Sequence, residues 1–138
     1  MSPHPFETKS LPAEFDVTAP DGSGIRILPR LERGSMAHGT LAPGSTSHAV
    51  RHKSVEEIWY VLSGEAEIWR ANDDNESIER VGPGSALTIP VGTGFQMRTV
   101  GNQPFQFIMC TMPPWPDHDE AIRIRGRWPV DPKPASRP

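Results

Sequence analysis

Proline and glycine decide which architectures are open to this chain. Sixteen prolines and twelve glycines are spread through its 138 residues. They interrupt it so often that helices of ordinary length have no room between them. What they leave are short segments, most with the period of two that half-buried strands require. These are GIRIL (24–28), SMAHGTL (35–41), EIWYVL (57–62), AEIW (66–69), ALTI (86–89), FQMRTV (95–100) and PFQFIMCTM (104–112). EFDVT (14–18) reads as an outer strand, residues 29–34 as a charged connection, residues 45–52 as one continuous strand, and Ser63-Gly64-Glu65 as a hairpin turn. With no helical period and no internal repeat, the expectation is an all-β sandwich or barrel.

A chain of this length forms one domain. Its boundaries are read as an N-terminal arm over 1–12, the barrel over 13–112, and a C-terminal arm and tail over 113–138, where PPWP (113–116) stops a sheet ladder. The two tryptophans of that last segment, Trp115 and Trp128, call for cover from the barrel or from a second subunit. Together with open edge strands they argue for a homodimer. A net charge of −3 with acids and bases well mixed speaks against a nucleic-acid surface. Arg123, Arg125 and Arg127 read as a solvated strand edge. The start of the sequence has no signal-peptide core, and no apolar run approaches a membrane span, so the expectation is a cytoplasmic protein without a membrane partner. Cys110 stands alone, without an internal disulfide partner, and its alternation with Ile108 and Met112 reads as a buried, inert thiol.

Chemistry-bearing residues concentrate in GSTSHAVRHKSVEEIWYVLSG (44–64). This stretch resembles the first motif of the cupin superfamily, G-x5-H-x-H-x4-E-x6-G, with Gly44, His52, Glu57 and Gly64 in register and Val50 at the first histidine position. GSALTIPVGTGFQMRT (84–99) resembles the second motif, G-x5-P-x-G-x2-H-x3-N. There Gly84, Pro90 and Gly92 match, while Phe95 and Thr99 replace the histidine and asparagine. The flanks are similar to a group of single-domain bacterial cupins of undefined activity. The resemblance implies a double-stranded β-helix, the jelly-roll or cupin barrel. It also implies a divalent metal, Fe, Mn, Ni or Zn, held inside by three histidines and a glutamate. Only His52 and Glu57 are kept, so a metal would be weakly bound or absent.

His48 lies two residues before Val50 and therefore on its strand face, roughly 6.5 Å further along, so a bulge could make it a third ligand. The residues expected to line a pocket are Val50, Phe95, His38, Trp59 and, if the register slips, Gln96. Glu57 inside a barrel needs a partner, and His52 is the obvious one. His4 and His118, in polar segments, read as solvated.

Two functions of different class follow. One is a small-molecule enzyme with a weak or rearranged metal site, with oxygenase, isomerase or lyase-type chemistry open to it, or with His52 and Glu57 as a metal-free catalytic acid–base pair. The other is a non-catalytic module that binds a small ligand without metal. Retention of His52 and Glu57 favours the first; Val50 and Phe95 favour the second.

Overall fold

The computed structural model describes residues 5–116 and 119–130. The expectations for His4, His118 and the tail from 131 fall outside them. Among the described residues the regular elements are eleven strands in two antiparallel sheets. The larger sheet has the order β1 (Val17–Thr18), β2 (Gly24–Arg30), β3 (Ser35–Leu41), β10 (Phe105–Met112), β5 (Glu56–Ser63), β8 (Ala86–Ile89). The smaller has the order β11 (Ala121–Arg123), β4 (Val50–His52), β9 (Gly94–Val100), β6 (Glu65–Ala71), β7 (Glu76–Val81). This is an all-β jelly roll, the double-stranded β-helix. Among the described residues no helix is long and apolar enough to cross a membrane.

Strand alternation decides what faces the space between the sheets. In β5, Glu57, Trp59 and Val61 are buried while Glu56, Ile58, Tyr60 and Leu62 are exposed. In β10, Phe105, Phe107, Met109 and Thr111 point the same way. Trp59 stacks on Phe107 with ring centroids 4.3 Å apart, and Phe107 meets Phe105 at 5.1 Å. Gly39 leaves the space this cluster needs, since a Cβ there would lie 2.6 Å from the Phe107 ring. Ile68, Ile89, Phe95 and Met97 complete the core from both sheets.

Several expectations are corrected. Residues 63–65 do not make a hairpin: β5 pairs with β10 and β8, β6 with β7 and β9, so the chain changes sheet at Gly64. A left-handed glycine recurs at other such crossings, at Gly44, Gly84, Gly92 and Gly101. The outer strand shrinks to Val17–Thr18, and β2 runs on through Pro29 and Arg30, which sit on a register shift against β3. The strand expected over 45–52 is regular only over Val50–His52. Cys110 is half-buried on the outward side of β10, since the residues that alternate with it are the ones that fill the core. The further edge strand that IRIRGRW (122–128) allows is present but shorter, over Ala121–Arg123, where β11 pairs with β4 and extends the smaller sheet.

Candidate functional site

Between the sheets, at the end marked by Glu57 and Thr111, lies a cavity of about 600 Å³. Such a volume suits a small organic molecule. Its walls come from β1 and β2, from Ser35, Met36 and Ala37 of β3, from the inward residues of β5 and β10, from Val50, His52 and Phe95, and from residues 115–116 and 119–121. Val50 and Phe95 are direct partners across β4 and β9, which makes that wall apolar. Trp59 forms the floor where cavity meets core.

Glu57 is buried and faces this space, but its partner is not His52. Its Oε1 accepts the Trp59 Nε1–H at 2.8 Å, and its Oε2 accepts the Thr111 hydroxyl at 2.8 Å. Trp59 reaches it because i and i+2 share a strand face, and Thr111 because it is the cross-strand neighbour of Glu57 on β10. Burial raises the carboxyl above the usual carboxylate range; the two hydrogen bonds oppose that rise, and the charges of Asp21 and Glu120 add to it. His52 is 4 % exposed and sits edge-on to two aromatic rings, Phe95 at 5.3 Å and Trp115 at 5.2 Å. Its Nδ1 has no hydrogen-bond partner. Burial lowers its basicity, against the pull of Glu120 and Asp21, so the neutral ring is favoured.

Two acids missed in the sequence complete the site. Asp21 stands in the connection between β1 and β2. It is buried, its Oδ1 accepting both the N–H and the hydroxyl of Ser23 (2.9 and 2.7 Å), and burial raises its carboxyl despite those bonds and the nearby His52 and His48. The pattern Asp-Gly-Ser, in which an aspartate caps its own turn, is the signal that could have found it. Glu120 lies in the segment that roofs the cavity. Its Oε2 takes the Ser54 and Val55 N–H groups at 2.6 and 2.9 Å, and its Oε1 takes the Ser54 hydroxyl at 2.8 Å. Burial alone would raise this carboxyl, but the three bonds and the nearby His52 outweigh it and hold it below the usual range. No sequence spacing announces a contact across 66 residues.

Two expected lining residues, His38 and Gln96, and the expected third ligand, His48, lie elsewhere. His38 is buried on the outer side of β3, between its cross-strand neighbours Arg26 and Ile108; burial and the Arg26 charge lower its basicity. The inward positions of β3 are the alternate ones, Ala37 and Gly39. Gln96 faces away from Phe95 and grips the C-terminal segment, its Nε2 donating to the Ser47 and Trp128 carbonyls and its Oε1 accepting the Trp128 N–H. His48 lies outside the cavity lining, beside Gly22, with its N–H on the Asp21 carbonyl, because the chain is not yet extended strand at that point. Burial and Arg123 lower its basicity. The tryptophans of the C-terminal segment dock on their own barrel, Trp115 on His52 and Trp128 under the Arg98 guanidinium at 4.3 Å.

The donors do not suit a metal. Of the residues expected to ligate, only His52 and Glu57 line the cavity, and both carboxylate oxygens of Glu57 are already engaged. Among the described residues no three histidine, cysteine or acidic side chains gather as a metal-holding group. Three or more protein ligands are the rule for a catalytic ion.

Residues 37–111 match the cupin domain family. An uncharacterised protein of Methanocaldococcus jannaschii is 32 % identical over 123 residues, covering 83 % of this chain and 95 % of that protein. Among solved structures, oxalate decarboxylase from Bacillus subtilis superposes with a TM-score of 0.65 at 18 % identity, over 78 % of this chain and 29 % of that one. This chain thus spans less than a third of that enzyme's length. An uncharacterised double-stranded β-helix protein of Klebsiella pneumoniae superposes with a TM-score of 0.62 at 17 % identity, over 75 % and 85 % of the two chains. At these identities the structural likeness is one of fold.

Proposed function

This chain belongs to the cupin domain family, and from that premise we propose that it is a small-molecule-binding cupin that works without a resident metal. The observation that carries this reading is the double engagement of Glu57 by Trp59 and Thr111 in the wall of the cavity, beside the apolar pair Val50 and Phe95. Each oxygen of this glutamate already accepts one hydrogen bond, and His52 is the one other expected ligand in the cavity, short of the three that hold a catalytic ion. His52, with Nδ1 unpartnered, is the group left to meet a polar end of the ligand. The Mn(II) centres of the Bacillus subtilis oxalate decarboxylase offer no contrary argument, because at 19 % identity the shared property is the fold. An acid–base role for the neutral His52 stays within this reading, since a ligand bound against it would lie within proton-transfer reach.

A neutral apolar fluorophore, N-phenyl-1-naphthylamine, tests the proposal. It is expected to bind one per chain, quench tryptophan emission, and keep its affinity within about twofold after exhaustive chelation, too small a change to signal a lost ligand site. Ala37→Leu, which adds carbon to the cavity wall, is expected to abolish binding while leaving the fold intact. Stoichiometric metal that survives purification, with binding lost on its removal, would overturn the metal-free reading.

The partner we propose is a second copy of the chain. The outer face of the larger sheet exposes Ile58, Tyr60 and Leu62 beside the half-buried Ile108 and Cys110, with no charge at its centre. Monomers seldom leave so continuous an apolar patch open, and an uncharged face is complementary to itself across a two-fold axis. Sedimentation is expected to give a dimer at micromolar concentration and a monomer for Tyr60→Glu. A wild-type monomer under those conditions sinks the proposal.

A further inference from the structure

Among the described residues no acid of the cavity forms an ion pair. Asp21, Glu57 and Glu120 are buried in its wall, and Asp119 adds a fourth carboxyl. The ion pairs among the described residues are Arg70 with Glu79, Arg80 with Glu65, and Arg98 with Glu67, none of them residues of the cavity. The single arginine in the lining, Arg30, donates to the Trp115 carbonyl at 3.5 Å. Glu120 is satisfied by Ser54 and Val55. Asp21 and Glu57 accept bonds from neutral donors only. Burying carboxyls without a counter-charge is costly and is seldom kept without a use.

Resting on the proposed function, we infer that the ligand of this cavity is a cation: an ammonium group, primary or methylated, on an aromatic or branched apolar body. The positive end would supply the charge that Asp21 and Glu57 lack. Trp59, Phe95 and Trp115 line the same space, and aromatic rings attract a desolvated cation as well as an apolar body. His52, 4 % exposed and with Nδ1 unpartnered, is an independent sign that the polar part of this wall is incomplete in the free protein. The same wall works against carboxylic acids. An anion entering would meet four carboxyls and one rim arginine, and such repulsion gives specificity as effectively as attraction does. The cavity is thereby set apart from a dicarboxylate site, whatever the likeness in fold.

Three molecules with one phenyl body form the test: 2-phenylethylamine, 2-phenylethanol and 3-phenylpropionate, each displacing the fluorophore from the full chain at pH 7.5. The amine is expected to bind about tenfold tighter than the alcohol or better, which is the size of one favourable charge contact, and the carboxylate weakest. Asp21→Asn with Glu57→Gln keeps both shapes and the acceptors that Ser23 and Trp59 use, and is expected to bring amine and alcohol within about twofold of each other. Should the variant not fold, the wild-type order decides. A carboxylate that binds as well as the amine, or failure of all three to displace a bound fluorophore, overturns the cation and leaves the apolar-ligand reading standing. Failure of the fluorophore itself to bind brings down both.

Discussion

Gly64→Ala is expected to cost about 2–5 kcal/mol, a large share of the stability of an ordinary domain. Two effects combine. The backbone at Gly64 is left-handed, with φ 76°, which a side chain resists by about 1–2 kcal/mol. A Cβ there would also lie 2.1 Å from the Pro104 carbonyl oxygen and 2.9 Å from the Phe105 Cα. Those are backbone atoms at the start of β10, where the register against β5 shifts, and they cannot swing aside as a side chain would. Overpacking of this kind costs about 1–3 kcal/mol and sometimes more. Gly44→Ala is the control. Its φ is 70°, yet nothing lies within 4 Å of the added carbon, so only the conformational cost of about 1–2 kcal/mol applies. Urea denaturation of both variants reads the difference. Equal losses would mean that the corner at Gly64 can open, and the account of the sheet crossing would fail.

That pair also marks how far the sequence could be read. The strands themselves were legible, because EIWYVL states its inward and outward positions by alternation, and so were the glycines. What the glycines do was not. A left-handed residue after a strand looks the same whether the chain folds back into the same sheet or passes to the other. The distinction is made by β10 arriving from 40 residues downstream. The site divides along the same line. Val50, His52, Glu57, Trp59 and Phe95 sit on strands whose register a short motif transmits, and the structure brings them to one cavity. His38 needed knowledge of which side of its strand is inward, and it is the neighbouring residues that point in; Gln96 would enter the cavity only by a register slip, and β9 pairs with β6 without one. His48 was projected along a strand that had not yet begun. Glu57 and His52 were paired by default, as the two polar groups in view. The partner that displaced His52 at one oxygen, Thr111, lies across a β-ladder, and that at the other, Trp59, was read only as a sheet residue.

The strap over the cavity is where stability and function meet, and Glu120→Ala is expected to cost about 2–4 kcal/mol at pH 7. The carboxylate takes three hydrogen bonds, two of them from backbone N–H groups of the turn between β4 and β5. Val55 is fully buried, so its N–H would be left without water, and an orphaned buried donor costs about 1–3 kcal/mol. The pH dependence has a definite sign. The folded-state affinity of this carboxyl for protons is depressed below its ordinary value, so its contribution is complete above the unfolded value and is lost as pH falls through the folded one. The gap between wild type and Glu120→Ala should therefore be constant near neutrality and close in acid. Glu120→Gln, which can still accept both backbone bonds through its carbonyl oxygen and donate to the Ser54 hydroxyl, should recover most of the loss at pH 7. Binding responds through the same segment, since Trp115, Pro116 and Glu120 itself roof the cavity. Once untied, the strap still pairs through β11 and through the Trp115 N–H on Ser35 Oγ, so the alanine variant should fold with a looser roof. Its fluorophore complex is then expected to dissociate several-fold faster, because interface changes act mainly on the off-rate. A variant that loses stability but releases the fluorophore at the wild-type rate would show that the strap only braces the barrel and does not gate it.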